Sequence, residues 1–189
     1  DAKQINAVEV AKRLEDSGIQ AIAVHGRPRA QGFSGLADWD VIGAVADAVK
    51  IPVIGNGDIT SGVDVELRRA QTNVSGIMIG RAAMTNPWVF QEAGHYLAHG
   101  VQPKPASAAD RLAFMVRHCR LLVESRRNGD ELQTMRSMRS RLMNYTRSLP
   151  AGRLLRIRFA HITSLAELED IAAGYLAHRL EPAVPTTAE

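Results

Sequence analysis

The stretch IPVIGNGDIT, residues 51–60, decides the fold, because an apolar run of the kind that makes a buried strand ends there in glycine and small polar residues. Similar runs occur before and after it, as AIAVHGR at 21–27 and VSGIMIGR at 74–81. Strands that are buried on both sides and alternate with helices predict βα units in a parallel sheet. Two architectures have this pattern, the doubly wound sheet and the (β/α)8 barrel.

Helical patterns lie between and after these strands. We predict an opening helix through Val8, Ala11 and Leu14, then helices from about 39 to 49, after TSGVD at 60–64, and around 86–100. A closed barrel needs eight strands and about 250 residues, so three strands are too few. If residues 1–100 belong to a (β/α)8 barrel, the front half of that barrel is missing. Its open sheet edges favour self-association.

Composition excludes several classes of protein. The chain has 189 residues, of which 46% are hydrophobic, and no apolar run reaches the length of about 18 residues that a membrane span requires. The first residues carry charge and helical periodicity rather than the apolar region of a signal peptide. The single cysteine excludes a disulfide framework and suits a cytoplasmic protein.

Charge is distributed unevenly along the chain. Residues 101–160 hold 13 Lys+Arg against 4 Asp+Glu, whereas residues 1–100 hold 9 against 11 and residues 161–189 hold 1 against 5. A basic block of this kind attracts a polyanion. The alternative is an ordinary solvated helix surface.

The basic block belongs to a predicted all-helical domain at 111–180, which follows a proline-rich linker at 101–110 and precedes a tail at 181–189. Apolar residues at helical spacing place Cys119 in the core, so it is not a reactive thiol. SLAE at 164–167 is a capping box that begins the last helix. A second apolar face is predicted from Met135, Met138, Leu142, Tyr145 and Leu149.

The polar residues that follow the strands are the candidates for function, since ligands of α/β proteins bind at the carboxyl ends of parallel strands. HGR, GNGD and GR end the three runs. Glycines there allow close approach to a phosphate, and Arg81 offers a fork of donors that matches phosphate oxygens. The alternatives are an ordinary βα turn with Asp58 or Thr60 as a helix cap, and a structural role for His25.

These motifs, AIAVHGRPRAQGFSGLADWDVI, IPVIGNGDITS and GIMIGRAAMTNPWVF in that order, resemble the second half of the tRNA-dihydrouridine synthases. The resemblance implies that residues 1–100 form the C-terminal part of a (β/α)8 barrel. MRSRLMNY and the arginine-rich helices are similar to the helical domain of their bacterial B-type branch. The resemblance implies binding of FMN by His25, Asn56, Gly57, Asp58, Gly80 and Arg81. It also implies that Arg27 and Arg29 border the mouth of the site where tRNA passes, and that the helical domain binds tRNA through Arg136, Arg139 and Arg141.

The resemblance further implies the reaction, in which NADPH reduces FMN and the reduced flavin then reduces uridine in tRNA to 5,6-dihydrouridine. The family's catalytic cysteine belongs to the missing half, so we identify no catalytic residue and expect this chain alone to be inactive. Two alternatives stay open: a non-catalytic RNA-binding remnant, and another FMN- or phosphate-binding barrel oxidoreductase. His95 and His99 share a helix face, but no third ligand is spaced to complete a metal site.

Overall fold

The computed structural model describes residues 5–32, 34–126, 130–147 and 149–177. The chain divides into two compact units with the boundary between Pro103 and Lys104. This boundary lies within the predicted linker at 101–110. The first unit contains strands and helices, and the described elements of the second are all helices.

The first unit is a parallel sheet with helices between its strands. Strands β1, β2 and β3 run side by side in chain order, and both pairs are parallel. The strands are Ile22–His25, Val53–Asn56 and Gly76–Met78. The helices of this unit are α1 Ala7–Asp16, α2 Trp39–Ala48, α3 Gly62–Gln71, α4 Arg81–Thr85 and α5 Val89–His99. All three strands are confirmed, whereas α4 is too short for its periodicity to be recognised in the sequence.

The described helices cover one face of this sheet. Val53 is 2% exposed and packs with residues of α1 and α2, while Val24 and Ile77 pack with residues of α2, α3 and α5. The strand register places these three side chains on the same face. A doubly wound sheet carries helices on both faces. The single covered face is therefore consistent with part of a (β/α)8 barrel, which confirms the predicted fold class.

The opposite face of the sheet carries the polar strand ends. His25 lies beside Asn56, and Asn56 lies beside Met78, which is 45% exposed. In a closed barrel this face would line the interior. The side chains predicted to bind a ligand at the ends of β1 and β2 thus share the uncovered face.

The second unit packs four described helices around one hydrophobic core. They are α6 Ala108–Ser125, α7 Glu131–Tyr145, α8 Gly152–Phe159 and α9 Leu165–Leu176. Cys119 is fully buried in this core, which also contains the five residues of the predicted apolar face. The last of the five, Leu149, lies beyond the end of α7 at Tyr145. Burial raises the pKa of the Cys119 thiol to about 11. The assignment of Cys119 to the core is confirmed.

Two helix starts differ in detail from the sequence expectation. Ser107 caps α6 through a reciprocal box with Asp110, so the helix begins at Ala108, inside the predicted linker. Ser164 caps α9, but the Glu167 carboxylate accepts from the N–H of Thr163 rather than from that of Ser164. The predicted tail at 181–189 lies outside the described residues. Within the described part of the chain, no helix is both long and apolar enough to cross a membrane.

Candidate phosphate site and basic helical surface

The carboxyl ends of the three strands are joined by Asn56. Its side-chain amide donates to the carbonyl oxygen of Met78 at 2.8 Å. Its own carbonyl oxygen accepts from the N–H of Gly26 at 3.2 Å and lies 3.1 Å from Nδ1 of His25. Because a carbonyl oxygen only accepts, Nδ1 of His25 carries the proton in this contact, and Nε2 is the nitrogen left for a ligand. The strand ends therefore form one connected structure.

Two glycines of GNGD have a packing role. A Cβ on Gly55 would lie 2.6 Å from Cζ3 of Trp39, and a Cβ on Gly57 would lie 2.3 Å from Cβ of Ala37. Gly57 also has a φ of +142°, which other residues rarely adopt. Its carbonyl oxygen accepts a hydrogen bond from Nε1 of Trp39 at 3.0 Å. Trp39 therefore has a packing role, and the absence of side chains at Gly55 and Gly57 is explained within the protein itself.

Asp58 links all three strand ends through its carboxylate. Nη2 of Arg27 donates to both carboxylate oxygens, at 2.7 and 2.8 Å, and the N–H of Ala37 donates to Oδ2 at 2.7 Å. Nη2 of Arg81 donates to Oδ1 at 3.2 Å. Partial burial raises the pKa of Asp58, but the hydrogen bonds from Arg27 and Ala37 and the nearby positive charges outweigh it, so the pKa lies below its usual value. The carboxylate is ionised at neutral pH and is occupied by protein donors.

The structure places Arg27 differently from the expectation that it borders the mouth of the site. Its side chain is only 2% exposed. Besides Asp58, its guanidinium donates to the carbonyl oxygens of Ser34 at 3.3 Å and Gly35 at 2.7 Å, while Nη1 is buried without a hydrogen-bond partner among the described residues. Arg27 thus fastens the loop that follows β1. Arg29, in a short 3-10 turn of that loop, is exposed.

Gly80 and Arg81 form the open part of the strand-end cluster. Among the described residues, a Cβ on Gly80 would meet only Nδ2 of Asn56, at 3.9 Å, so this part of the chain leaves space in front of Gly80. The Arg81 side chain is 54% exposed. A guanidinium, an imidazole Nε2 and a backbone without a side chain make a donor set that suits a phosphate monoester. These residues therefore fit the phosphate end of FMN.

The second unit has a basic surface. Arg136 and Arg141 of α7 are exposed. Arg139 is half-buried instead, because its guanidinium donates to the carbonyl oxygens of Ile162 at 2.8 Å and His161 at 3.0 Å. Its role is therefore at least partly structural. The other exposed arginines of this unit's helices are Arg117, Arg120, Arg153 and Arg158.

Acidic partners neutralise little of this surface. Arg120 forms an ion pair with Glu169 at 2.6 Å, and it is the one Arg–carboxylate pair found among the described residues of the second unit. Within the described part of this unit, the exposed Arg136 and Arg141 have no carboxylate at ion-pair distance, and such an arrangement attracts a polyanion. The alternative of an ordinary solvated helix surface stays open.

No metal centre is found among the described residues. His95 and His99 lie together, with ring centroids 4.5 Å apart, and no cluster of three metal-binding side chains occurs in the described part of the chain. Sequence reasoning missed one feature of the site, the contact of Arg27 and Ala37 with Asp58. The positive φ of Asp58, at 53°, has no signal in the sequence beyond its position after Gly57.

Sequence similarity to known proteins extends over most of the chain. The sequence model of the dihydrouridine synthase (Dus) family matches residues 1–179. The tRNA-dihydrouridine synthase B of Pseudomonas putida is 41% identical over 160 residues, which are 84% of this chain and 46% of that protein. The tRNA-dihydrouridine synthase B of Pectobacterium carotovorum is 44% identical over 117 residues, 62% of this chain and 36% of that protein. The chain thus spans less than half the length of these relatives.

Proposed function

Because the chain belongs to the dihydrouridine synthase family, we propose that it acts as part of a tRNA-dihydrouridine synthase, which reduces uridine in tRNA to 5,6-dihydrouridine in the cytoplasm. Its first unit would hold the phosphate end of FMN, and its second unit would bind tRNA. Bound FMN would supply hydride transfer, with NADPH as the reductant. The family match extends over both units, which argues against the alternative of another FMN- or phosphate-binding barrel oxidoreductase.

The flavin part of the proposal is supported by the space in front of Gly80 and by the exposed guanidinium of Arg81 beside it. His25 and Asn56, on the neighbouring strand ends, complete the donor set on the same face of the sheet. Gly57 belongs to it through its backbone. Asp58 supports the set indirectly, through the arginines that it binds.

The tRNA part of the proposal is carried by the exposed arginines of the second unit. Guanidinium groups bind phosphate oxygens without regard to base sequence, so the affinity should fall steeply with salt. Arg136 and Arg141 are the principal candidates on α7, and Arg29 is the candidate in the first unit. Arg139 would contribute mainly by holding α7 against the end of α8.

A matched pair of variants tests the tRNA part. Tight binding of unmodified tRNA by the full chain is expected to weaken in Arg136→Gln/Arg141→Gln, with a log–log salt slope lower by about 1 to 2. Arg120→Gln is the control, because its charge is already compensated by Glu169. Fluorescence anisotropy at several salt concentrations measures both quantities. Equal slopes for the wild type and the double variant would contradict the assignment.

A second candidate is an RNA-binding protein without catalysis. Cys119 is the one cysteine in the sequence, and it lies in the core of the helical unit with a raised pKa. No thiol of this chain can therefore act as an acid at the strand ends. Incubation with FMN, NADPH and unmodified tRNA, followed by mass spectrometry for dihydrouridine, separates the two candidates. Formation of dihydrouridine by the chain alone would refute the second.

A further inference from the structure

The peptide group between Gly57 and Asp58 is held by a side chain from the helix-covered side of the sheet. Nε1 of Trp39 donates to the carbonyl oxygen of Gly57 at 3.0 Å. The indole itself is fixed, because Trp39 is 4% exposed, its ring lies against Gly55, and the guanidinium carbon of Arg68 lies 5.3 Å from its centroid. The donor therefore has a defined position on the core side of this peptide group.

The contact with Trp39 determines which way the next N–H points. The Gly57–Asp58 peptide is trans, so its C=O and N–H bonds point in opposite directions. Because the carbonyl oxygen of Gly57 is directed at Trp39, the N–H of Asp58 points away from the core. No hydrogen-bond partner for this N–H is found among the described residues. Gly57 also adjoins His25, since a Cβ on Gly57 would lie 3.7 Å from Nδ1 of that ring. The N–H of Asp58 is therefore left for a ligand beside the polar strand ends.

The orientation of this peptide group is not the one that the backbone of Asp58 favours. Asp58 has a φ of +53°, a conformation that is uncommon for residues with a side chain, although aspartate tolerates it better than most. A half-turn of the planar peptide group changes ψ of Gly57 and φ of Asp58 together, and it would return the φ of Asp58 to negative values. Gly57 has no side chain to oppose this rotation. The hydrogen bond from Trp39 opposes it, because the rotation would break that bond.

We propose that Trp39 is a positioning residue that holds the Gly57–Asp58 peptide with its N–H, rather than its carbonyl oxygen, toward a phosphate monoester. Trp39 does this from the core, without touching the ligand. After a half-turn, an acceptor would face the negatively charged phosphate oxygens where a donor is needed. The inference rests on the proposed function, because it takes the phosphate of FMN as the anion.

Comparison of FMN with riboflavin tests this role, since the two ligands differ only in the phosphate. The ratio of their dissociation constants is measured by flavin fluorescence titration of the full chain, and the wild type should prefer FMN. Benzothienylalanine at position 39 has nearly the shape of tryptophan but carries sulfur in place of the N–H. It should lower the preference by about tenfold or more, the size of one hydrogen bond to a charged group.

Further variants separate the orientation of the peptide from the stability of the core. Trp39→Phe removes the donor with a natural residue and should also lower the preference. Fluorotryptophan at position 39 keeps the N–H and should retain it. Ile42→Val removes a methyl group from the same core cluster but leaves the Nε1 donor in place, so it should lower stability and leave the ratio unchanged. In amide NMR spectra of the wild type, the Asp58 resonance should shift more with FMN than with riboflavin.

Each result decides the inference, with circular dichroism confirming that each variant is folded. An unchanged preference for FMN in the variants without the Nε1 donor overturns it. A loss of preference in Ile42→Val overturns it as well, because loosening of the core would then explain the effect. A wild type that does not prefer FMN contradicts the flavin part of the proposed function and the inference with it. Failure of the tRNA part would instead appear as absent tRNA binding with the FMN preference intact.

Discussion

Replacement of Gly55 by alanine should destabilise the first unit, because the new Cβ has no room. It would lie 2.6 Å from Cζ3 and 2.8 Å from Cη2 of Trp39, and 3.1 Å from Cγ2 of Ile42. Ordinary van der Waals contact begins at 3.4 Å, so the indole would have to move by about 0.8 Å. Both Trp39 and Ile42 belong to the core cluster between the sheet and its helices.

The expected loss follows from two contributions. Overpacking of a well-filled core costs about 1–3 kcal/mol. Movement of the indole also weakens the hydrogen bond from its Nε1 to the carbonyl oxygen of Gly57, which contributes about 0.5–1.5 kcal/mol. Gly55→Ala should therefore lower the free energy of unfolding by about 1.5–4.5 kcal/mol in total.

Urea unfolding monitored by tryptophan fluorescence measures this loss, because both tryptophans of the chain lie in the first unit. A Trp88→Phe background leaves Trp39 as the sole reporter. Gly94→Ala is the matched control: Gly94 lies inside α5, and a Cβ there would meet nothing within 4 Å. This control should stabilise by about 0.5–1 kcal/mol, since glycine is unfavourable within a helix. Equal or opposite shifts of the two variants would refute the reasoning.

Three other predictions concern single side chains. The pKa of Asp58 is lower in the folded state than in the unfolded state, where it is about 3.9. The stability that this carboxylate contributes is therefore fully present above about pH 3.9 and is lost as the pH falls through the lower folded value. A pH series of urea midpoints should show this loss, and Asp58→Asn should make the midpoints less dependent on pH. Cys119 should react with a disulfide reagent at pH 8 only after unfolding, because its thiol is buried and has a pKa of about 11. Rapid reaction of the folded chain would contradict the packing of the core. Arg139→Met should lower the unfolding free energy of the second unit by about 1.5–3 kcal/mol, the contribution of hydrogen bonds from a charged group, as measured by calorimetry. It should leave the salt dependence of tRNA binding nearly unchanged, and a large fall in the salt slope would identify Arg139 as an RNA contact instead.

Periodicity predicted the parts of this structure that depend on burial. The three strands follow from short continuous apolar runs, and the core faces of α6 and α7 follow from apolar residues at intervals of three to four. The predicted residues Met135 and Leu142 are both fully buried. Short elements escaped prediction for the same reason, since the five residues of α4 cannot show a period.

The partners of charged residues could not be predicted in this way. Arg27 and Arg139 are of the same type as Arg136, and nothing in the local sequence shows that the first two turn inward to Asp58 and to the carbonyl oxygen of Ile162. Both contacts join residues that lie 23 or more positions apart. A count of arginines therefore predicts the sign of the charge on a surface but overstates the number of exposed arginine side chains that could bind RNA.

Gly55, Asn56, Gly57 and Asp58 have different roles at the end of β2. The reason is that successive residues of a strand point to opposite faces of the sheet. Gly55 lies on the helix-covered face and makes room for Trp39, whereas Asn56 lies on the opposite face among the polar strand ends. Gly57 and Asp58 then both take positive φ, which brings the Asp58 carboxylate to the arginines of the neighbouring strand ends. Substitutions at Gly55 should therefore change the stability of the first unit first, because Gly55 faces Trp39 rather than the polar strand ends. Short glycine-rich strand ends cannot be interpreted from glycine content alone, because the packing requirement and the ligand requirement select the same residue type.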